Sequence, residues 1–103
     1  MKIYNKLVRD KIPQVIEADG KKYDIRIADK KEHYELLEEK LMEEVKEFLE
    51  GKNLEELADV MEVLYGLADK LGYSEEELNQ RRVEKREKLG GFKEGIVLMR
   101  VYE

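Results

Sequence analysis

Apolar residues along this chain recur mostly at helical spacing, in segments separated by glycine or by short polar turns. Residues 1–9 read as extended or looped. Asp10 caps a short helix expected over 11–18, with Pro13 tolerated in its first turn and Gly20 ending it. Tyr23, Ile25 and Ile27 then alternate with Asp24 and Arg26, the period of a short half-buried strand. A long helix is predicted over 30–50, carrying the stripe Tyr34, Leu37, Leu41, Val45 and Phe48. The next, over 54–71, has a wide apolar face: Leu57, Val60, Met61, Leu64, Tyr65, Leu67, Ala68 and Leu71. A helix this apolar is central to the fold or half of a dimer interface. Gly72 ends it. Ser74-Glu75-Glu76-Glu77 is a capping box that opens a mostly polar helix over 75–88. Gly90-Gly91 breaks that helix, and 96–101 reads as a second strand able to pair with 23–28. The expected fold is mainly α. It is an antiparallel helical bundle in one domain, 1–103, with a short two-stranded β element packed on the helices because two strands alone are not stable.

Two acidic pairs stand out from this pattern. Glu44 and Glu47 are one helical turn apart before the turn Gly51-Lys52-Asn53, and Glu56 and Asp59 are one turn apart after it. So short a connection makes the two helices antiparallel neighbours. Glu47 lies four residues before Gly51 and Glu56 five after it; Glu44 lies seven before and Asp59 eight after. At a rise of about 1.5 Å per residue the pairs sit at matching heights. Glu44 falls about 20° outside the apolar stripe of its helix and Glu47 about 80° outside. Glu56 projects between Val63 and Leu67, inside the apolar arc, and Asp59 just beyond its edge. Carboxylates aimed at a core side are costly unless partnered, and four of them together call for a divalent cation.

Plainer readings compete. Asn53 and Glu56 also have the spacing of an N-cap and its N3 residue. Asp59 lies near the same helix N-terminus, where acids favour the dipole. Glu43, Glu44 and Glu47 belong to a helix rich in Glu and Lys, where i,i+4 pairing alone accounts for them.

Composition narrows the chemistry. With 20 basic and 25 acidic residues the net charge is -5, which disfavours nucleic-acid polymers as partners. There is no cysteine, and His33 is the only histidine, so zinc ligation and a Ser/His/Asp set are both disfavoured. All-oxygen ligation favours Mg²⁺ or Mn²⁺. There is no glycine-rich phosphate loop. No apolar run approaches about 18 residues, so no membrane span is expected, and the start lacks a signal-peptide core. The expected location is cytoplasmic. Arg81, Arg82, Lys85, Arg86 and Lys88 form either a solvated helix face or, beside a metal cluster, a phosphate-neutralising one. Lys6, Arg9 and Lys11, interleaved with Leu7, Val8 and Ile12, offer the same two readings.

The pattern Glu-Glu-x-x-Glu followed by Glu-x-x-Asp resembles the all-α nucleotide pyrophosphohydrolases, which include the MazG-like proteins and phosphoribosyl-ATP pyrophosphatase. The likeness extends to Tyr4-Asn5-Lys6-Leu7-Val8-Arg9-Asp10-Lys11-Ile12-Pro13, to Lys40–Asp59, and to Gly90-Gly91-Phe92 with Gly95-Ile96-Val97-Leu98. Small phosphoribosyl-ATP-pyrophosphohydrolase-like proteins are the nearest in pattern. The resemblance implies Mg²⁺-dependent hydrolysis of a nucleoside triphosphate to the monophosphate and pyrophosphate, in a homodimer or larger assembly. It also implies Glu44, Glu47, Glu56 and Asp59 as metal ligands. Leu89 departs from the pattern, because similar sequences often carry Arg there; Arg86 or Lys88 would then have to substitute.

On this reading Glu43 or Glu47 orients or deprotonates the attacking water. Lys85, Arg86 and Lys88, with Lys6, Arg9 and Lys11 behind them, offset charge on the phosphates. The alternative is a non-enzymatic helical dimer that senses nucleotide or binds partners without turnover.

Overall fold

The computed structural model describes residues 1–103. Four helices follow in order: α1 (Ile12–Ala18), α2 (Lys30–Gly51), α3 (Leu54–Lys70) and α4 (Glu75–Leu89). Their ends are written in local chemistry. Asp29 accepts a hydrogen bond from the Glu32 amide at 2.8 Å and opens α2. Asn53 accepts from the Glu56 amide at 2.9 Å and opens α3. Ser74 and Glu77 form the full capping box of α4. Lys52, in the left-handed region at φ 52°, closes α2 and turns the chain into α3 within two residues.

The α2–α3 hairpin is the structural unit of the molecule. Its buried side chains are few: Leu37, Glu44, Val63 and Ala68. Gly66 marks the closest packing, since a Cβ there would lie 3.0 Å from Leu37 Cδ2. Val63 and Gly66 continue the face that begins with Glu56 and Asp59, and Leu37 continues the face that carries Lys40 and Glu44. The acids therefore occupy the closed end of the same seam that packs the hairpin. α4 joins α3 farther along, where the Tyr65 hydroxyl donates to Asn79 Oδ1 at 3.2 Å. α1 makes no close packing contact with another helix.

Two expectations are corrected. The strands expected at 23–28 and 96–101 do not form, and the fold is all-helical. Alternation in these segments marks extended backbone, but a ladder needs a partner, and two short strands cannot hold each other without a surface to cover. Ile25, Ile27 and Ile96 through Met99 are exposed. The first segment is tied instead by a side-chain fork: Arg26 donates to both carboxylate oxygens of Glu32, at 2.6 and 2.7 Å. Phe92 is fully exposed.

The molecule is elongated. Its radius of gyration is 18.2 Å, where about 13 Å is typical of a folded domain this long. Leu57, Met61 and Leu64 are exposed along one side of α3, and Leu71 at its C-cap is exposed as well. No helix is long and apolar enough to cross a membrane.

Candidate metal centre

The hairpin turn brings α2 and α3 acids together because both pairs lie within two turns of it. Gly51 contributes by omission: a Cβ there would lie 3.2 Å from Glu56 Cγ, so glycine leaves room for Glu56 to fold beneath the turn. Glu44, Glu56 and Asp59 each place a carboxylate oxygen within 4.8 Å of the others. Glu43, Glu44 and Glu47 form a second such group. Glu44 belongs to both. Three of the four acids expected as ligands thus meet in one cluster, and the fourth, Glu47, joins through Glu44 together with Glu43.

Glu44 is the most constrained of them. Its side chain is 8% exposed. Lys40 Nζ lies 3.3 Å from its Oε1 and 3.4 Å from Glu43 Oε1, while its Oε2 has no hydrogen-bond partner. Burial raises the Glu44 carboxyl above the usual carboxylate range; Lys40 opposes this and neighbouring Glu47 adds to it. Glu56 Oε2 is also buried and unpartnered.

The plainer readings can now be weighed. In the α4 capping box, Glu77 Oε1 accepts from the Ser74 amide at 3.1 Å. Glu56 occupies the corresponding N3 position of α3, but only half of its box is present. The Asn53 side chain accepts from the Glu56 amide, but the Asn53 amide donates no hydrogen bond to the Glu56 carboxylate. Capping therefore accounts for the Glu56 backbone and not for its side chain. The i,i+4 reading is met in part, by Lys40 and Glu44. Two buried carboxylate oxygens with no donor, facing a cluster of acids, suit a hard cation that takes oxygen ligands.

Three cations approach the cluster, and two of them, Arg9 and Lys6, are among those the sequence put forward. Arg9 Nη2 donates to Asp59 Oδ1 at 2.6 Å. Lys6 Nζ lies 3.9 Å from Glu43 Oε1. Lys40, not singled out by the sequence reading, pairs with two of the acids; its i,i+3 and i,i+4 spacing to Glu43 and Glu44 was the available signal. Lys85, Arg86 and Lys88 are exposed on α4 and make no ion pair or hydrogen bond with any of the five acids, and neither does Lys11. Leu89 is exposed. His33 is half-buried in the first turn of α2.

A family model described as the MazG-like family matches residues 27–97, a span that contains all five acids and excludes Lys6 and Arg9. No curated protein and no solved structure matches the chain.

A buried carboxyl with a raised pKa binds more protons in the folded state than in the unfolded chain. Its contribution to metal-free stability therefore falls as pH rises above about 4.3, the free Glu value. Glu44→Gln removes that charge, and its amide can donate to a neighbouring carboxylate. The variant is expected to melt roughly 4–8 °C above the wild type in chelator at pH 7, the shift given by about 1 kcal/mol in a small domain. The difference should shrink as pH is lowered toward the free Glu value. Thermal melts across that range check this, and a variant that melts below wild type at pH 7 contradicts it.

Proposed function

The chain belongs to the MazG-like family, and on that premise we propose that it is a Mg²⁺-dependent pyrophosphohydrolase that cleaves a nucleoside triphosphate to the monophosphate and pyrophosphate. The family suggests nucleotide pyrophosphohydrolase activity in general; the cation, the substrate and the residue roles are our reading. The observation that carries it is the pair of buried, unpartnered oxygens, Glu44 Oε2 and Glu56 Oε2, beside Asp59.

Glu44, Glu56 and Asp59 would hold the cation, with Glu47 completing the set through Glu44. Mn²⁺ is the natural substitute for Mg²⁺, since both accept oxygen ligands. A divalent ion bound there supplies neutralisation of phosphate charge and makes water more acidic. The residues divide the remaining work by their surroundings. Glu43 is engaged by Lys40 and Lys6. Glu47 has no cation partner and is exposed, so it is the better candidate to orient water and take its proton. Lys40, fixed between Glu43 and Glu44, neutralises charge in the absence of phosphate. Arg9 and Lys6 are the cations nearest to incoming phosphates. Lys85, Arg86, Lys88 and Lys11 form a second rank that meets only the outer parts of a bound nucleotide.

The assembly belongs to the same proposal. The exposed Leu57, Met61 and Leu64 of α3, with Leu71 at its C-cap, are the surface a second copy would cover, giving a homodimer or larger homo-oligomer. We place the protein in the cytoplasm, where nucleotides and Mg²⁺ are available, with no nucleic-acid polymer or membrane as partner.

Asp59→Asn and Glu56→Gln should each lower pyrophosphate release from a panel of nucleoside triphosphates with Mg²⁺ by about 10²-fold or more, the scale of losing a preorganised charge in an active site. Undiminished turnover in a folded variant would remove these residues from the site. Nucleotide binding with no turnover by the wild type would favour the sensing module instead. Light scattering should give a mass at least twice the 12.2 kDa of one chain; a monomer at micromolar concentration would contradict the assembly.

A further inference from the structure

The N-terminal arm, residues 1–11, is joined to the bundle in an unusual way. Residues 1–8 make no backbone hydrogen bond, and the only one involving Arg9 is local, from the Ile12 amide to its carbonyl at 3.0 Å. The helix that follows makes no close packing contact with α2, α3 or α4. Leu7 is the only half-buried residue of the arm. Its polar ties to the bundle are two, Arg9 to Asp59 and Lys6 to Glu43, and both end on acids of the carboxylate cluster. The arm thus grips the bundle at its carboxylate cluster.

Counting charges shows why. Glu43, Glu44, Glu47, Glu56 and Asp59 carry five negative charges when ionised, and Lys6, Arg9 and Lys40 return three. Lys40 is built into α2 and cannot leave; it is a fixed counter-ion. Arg9 and Lys6 are on a segment with little else to hold it, and their side chains are about half exposed. A guanidinium and a divalent cation on the same carboxylate repel each other, so the two compete for Asp59. A guanidinium released from Asp59 stays within a side chain's length of the cluster, and its fork matches a phosphate as well as it matches a carboxylate.

Resting on the metal-centre reading above, we propose that residues 1–11 are a displaceable strap. Arg9, with Lys6 beside it, stands in for the cation on Asp59 and Glu43 while the site is free of metal, and transfers to substrate phosphate once metal is in place. The strap lowers affinity for metal alone and raises affinity for phosphate at the metal-loaded site. Metal and substrate then load cooperatively, because each removes the cost of the other's entry. Arg9 is in this sense a stand-in for the metal before it is a ligand for phosphate.

The strap predicts effects of opposite sign in one variant. The full-length wild type, Arg9→Ala and Arg9→Lys are titrated with Mn²⁺, the unbound ion being read by electron paramagnetic resonance. The Mn²⁺-saturated proteins are then titrated with inorganic pyrophosphate. Arg9→Ala should bind Mn²⁺ roughly two- to fivefold more tightly than wild type, the worth of an exposed ion pair. It should bind pyrophosphate about tenfold more weakly, the worth of a charge-assisted contact. Arg9→Lys should restore most of the Mn²⁺ behaviour and only part of the pyrophosphate affinity, because it keeps the charge and loses the fork. Equal or weaker Mn²⁺ binding by Arg9→Ala overturns the strap and leaves the metal centre standing. Unchanged pyrophosphate affinity overturns the transfer, and with it the strap as proposed. If neither wild type nor Arg9→Ala binds Mn²⁺, the metal centre falls and the strap with it.

Discussion

The buried carboxylate of Glu44 is the constraint around which this molecule is arranged. One oxygen is matched by Lys40 at 3.3 Å and the other by nothing. A half-satisfied buried acid is destabilising in a protein with so small a core, where only three apolar residues are buried. A hydrophobic residue at 44 would pack the seam with less cost. The same position serves both acidic groups, so it is also where a cation would relieve the most repulsion. Fold stability and site chemistry pull in opposite directions at this residue, the usual sign of a place kept for function.

The hairpin is what makes that arrangement possible. A turn of two residues, closed by left-handed Lys52 and opened by Asn53, sets α2 and α3 in register so that the helical repeats carrying Leu37 and Gly66 also carry Glu44, Glu56 and Asp59. The seam is apolar at one end and acidic at the other. Around it the structure is open: α1 is not packed on the bundle, and the chain after α4 forms no helix or strand and is exposed. This openness, with the apolar stripe on α3, gives the monomer the look of a part shaped for a larger assembly, as we propose.

What the sequence discloses follows from the range of the interactions involved. Helix limits agree with those expected to within one residue, because Asn53, Ser74 and Gly90 act on neighbours a few residues away; the cap expected at Asp10 does not form, since Lys11 takes that position with no capping side-chain hydrogen bond. The inward aim of Glu44 and Glu56 is also local, since helical period alone fixes the face on which a residue lies. The two strands misled because alternation reports extended backbone, whereas pairing joins segments some seventy residues apart and leaves no mark on either one. Arg9 was legible as a phosphate-binding candidate, but its contact with Asp59 spans fifty residues and has no local signature. The basic run on α4 pairs with none of the five acids, and composition alone does not say where a helix points.

The central claim is that the unpartnered oxygens of Glu44 and Glu56 face a divalent cation. Anomalous diffraction from crystals soaked in Mn²⁺ tests it directly. The account predicts one dominant peak within coordination distance of the Glu44, Glu56 and Asp59 carboxylates, with Arg9 moved off Asp59. Mn²⁺ confined to the exposed acids of the surface, with Glu44 Oε2 still unpaired, would contradict it.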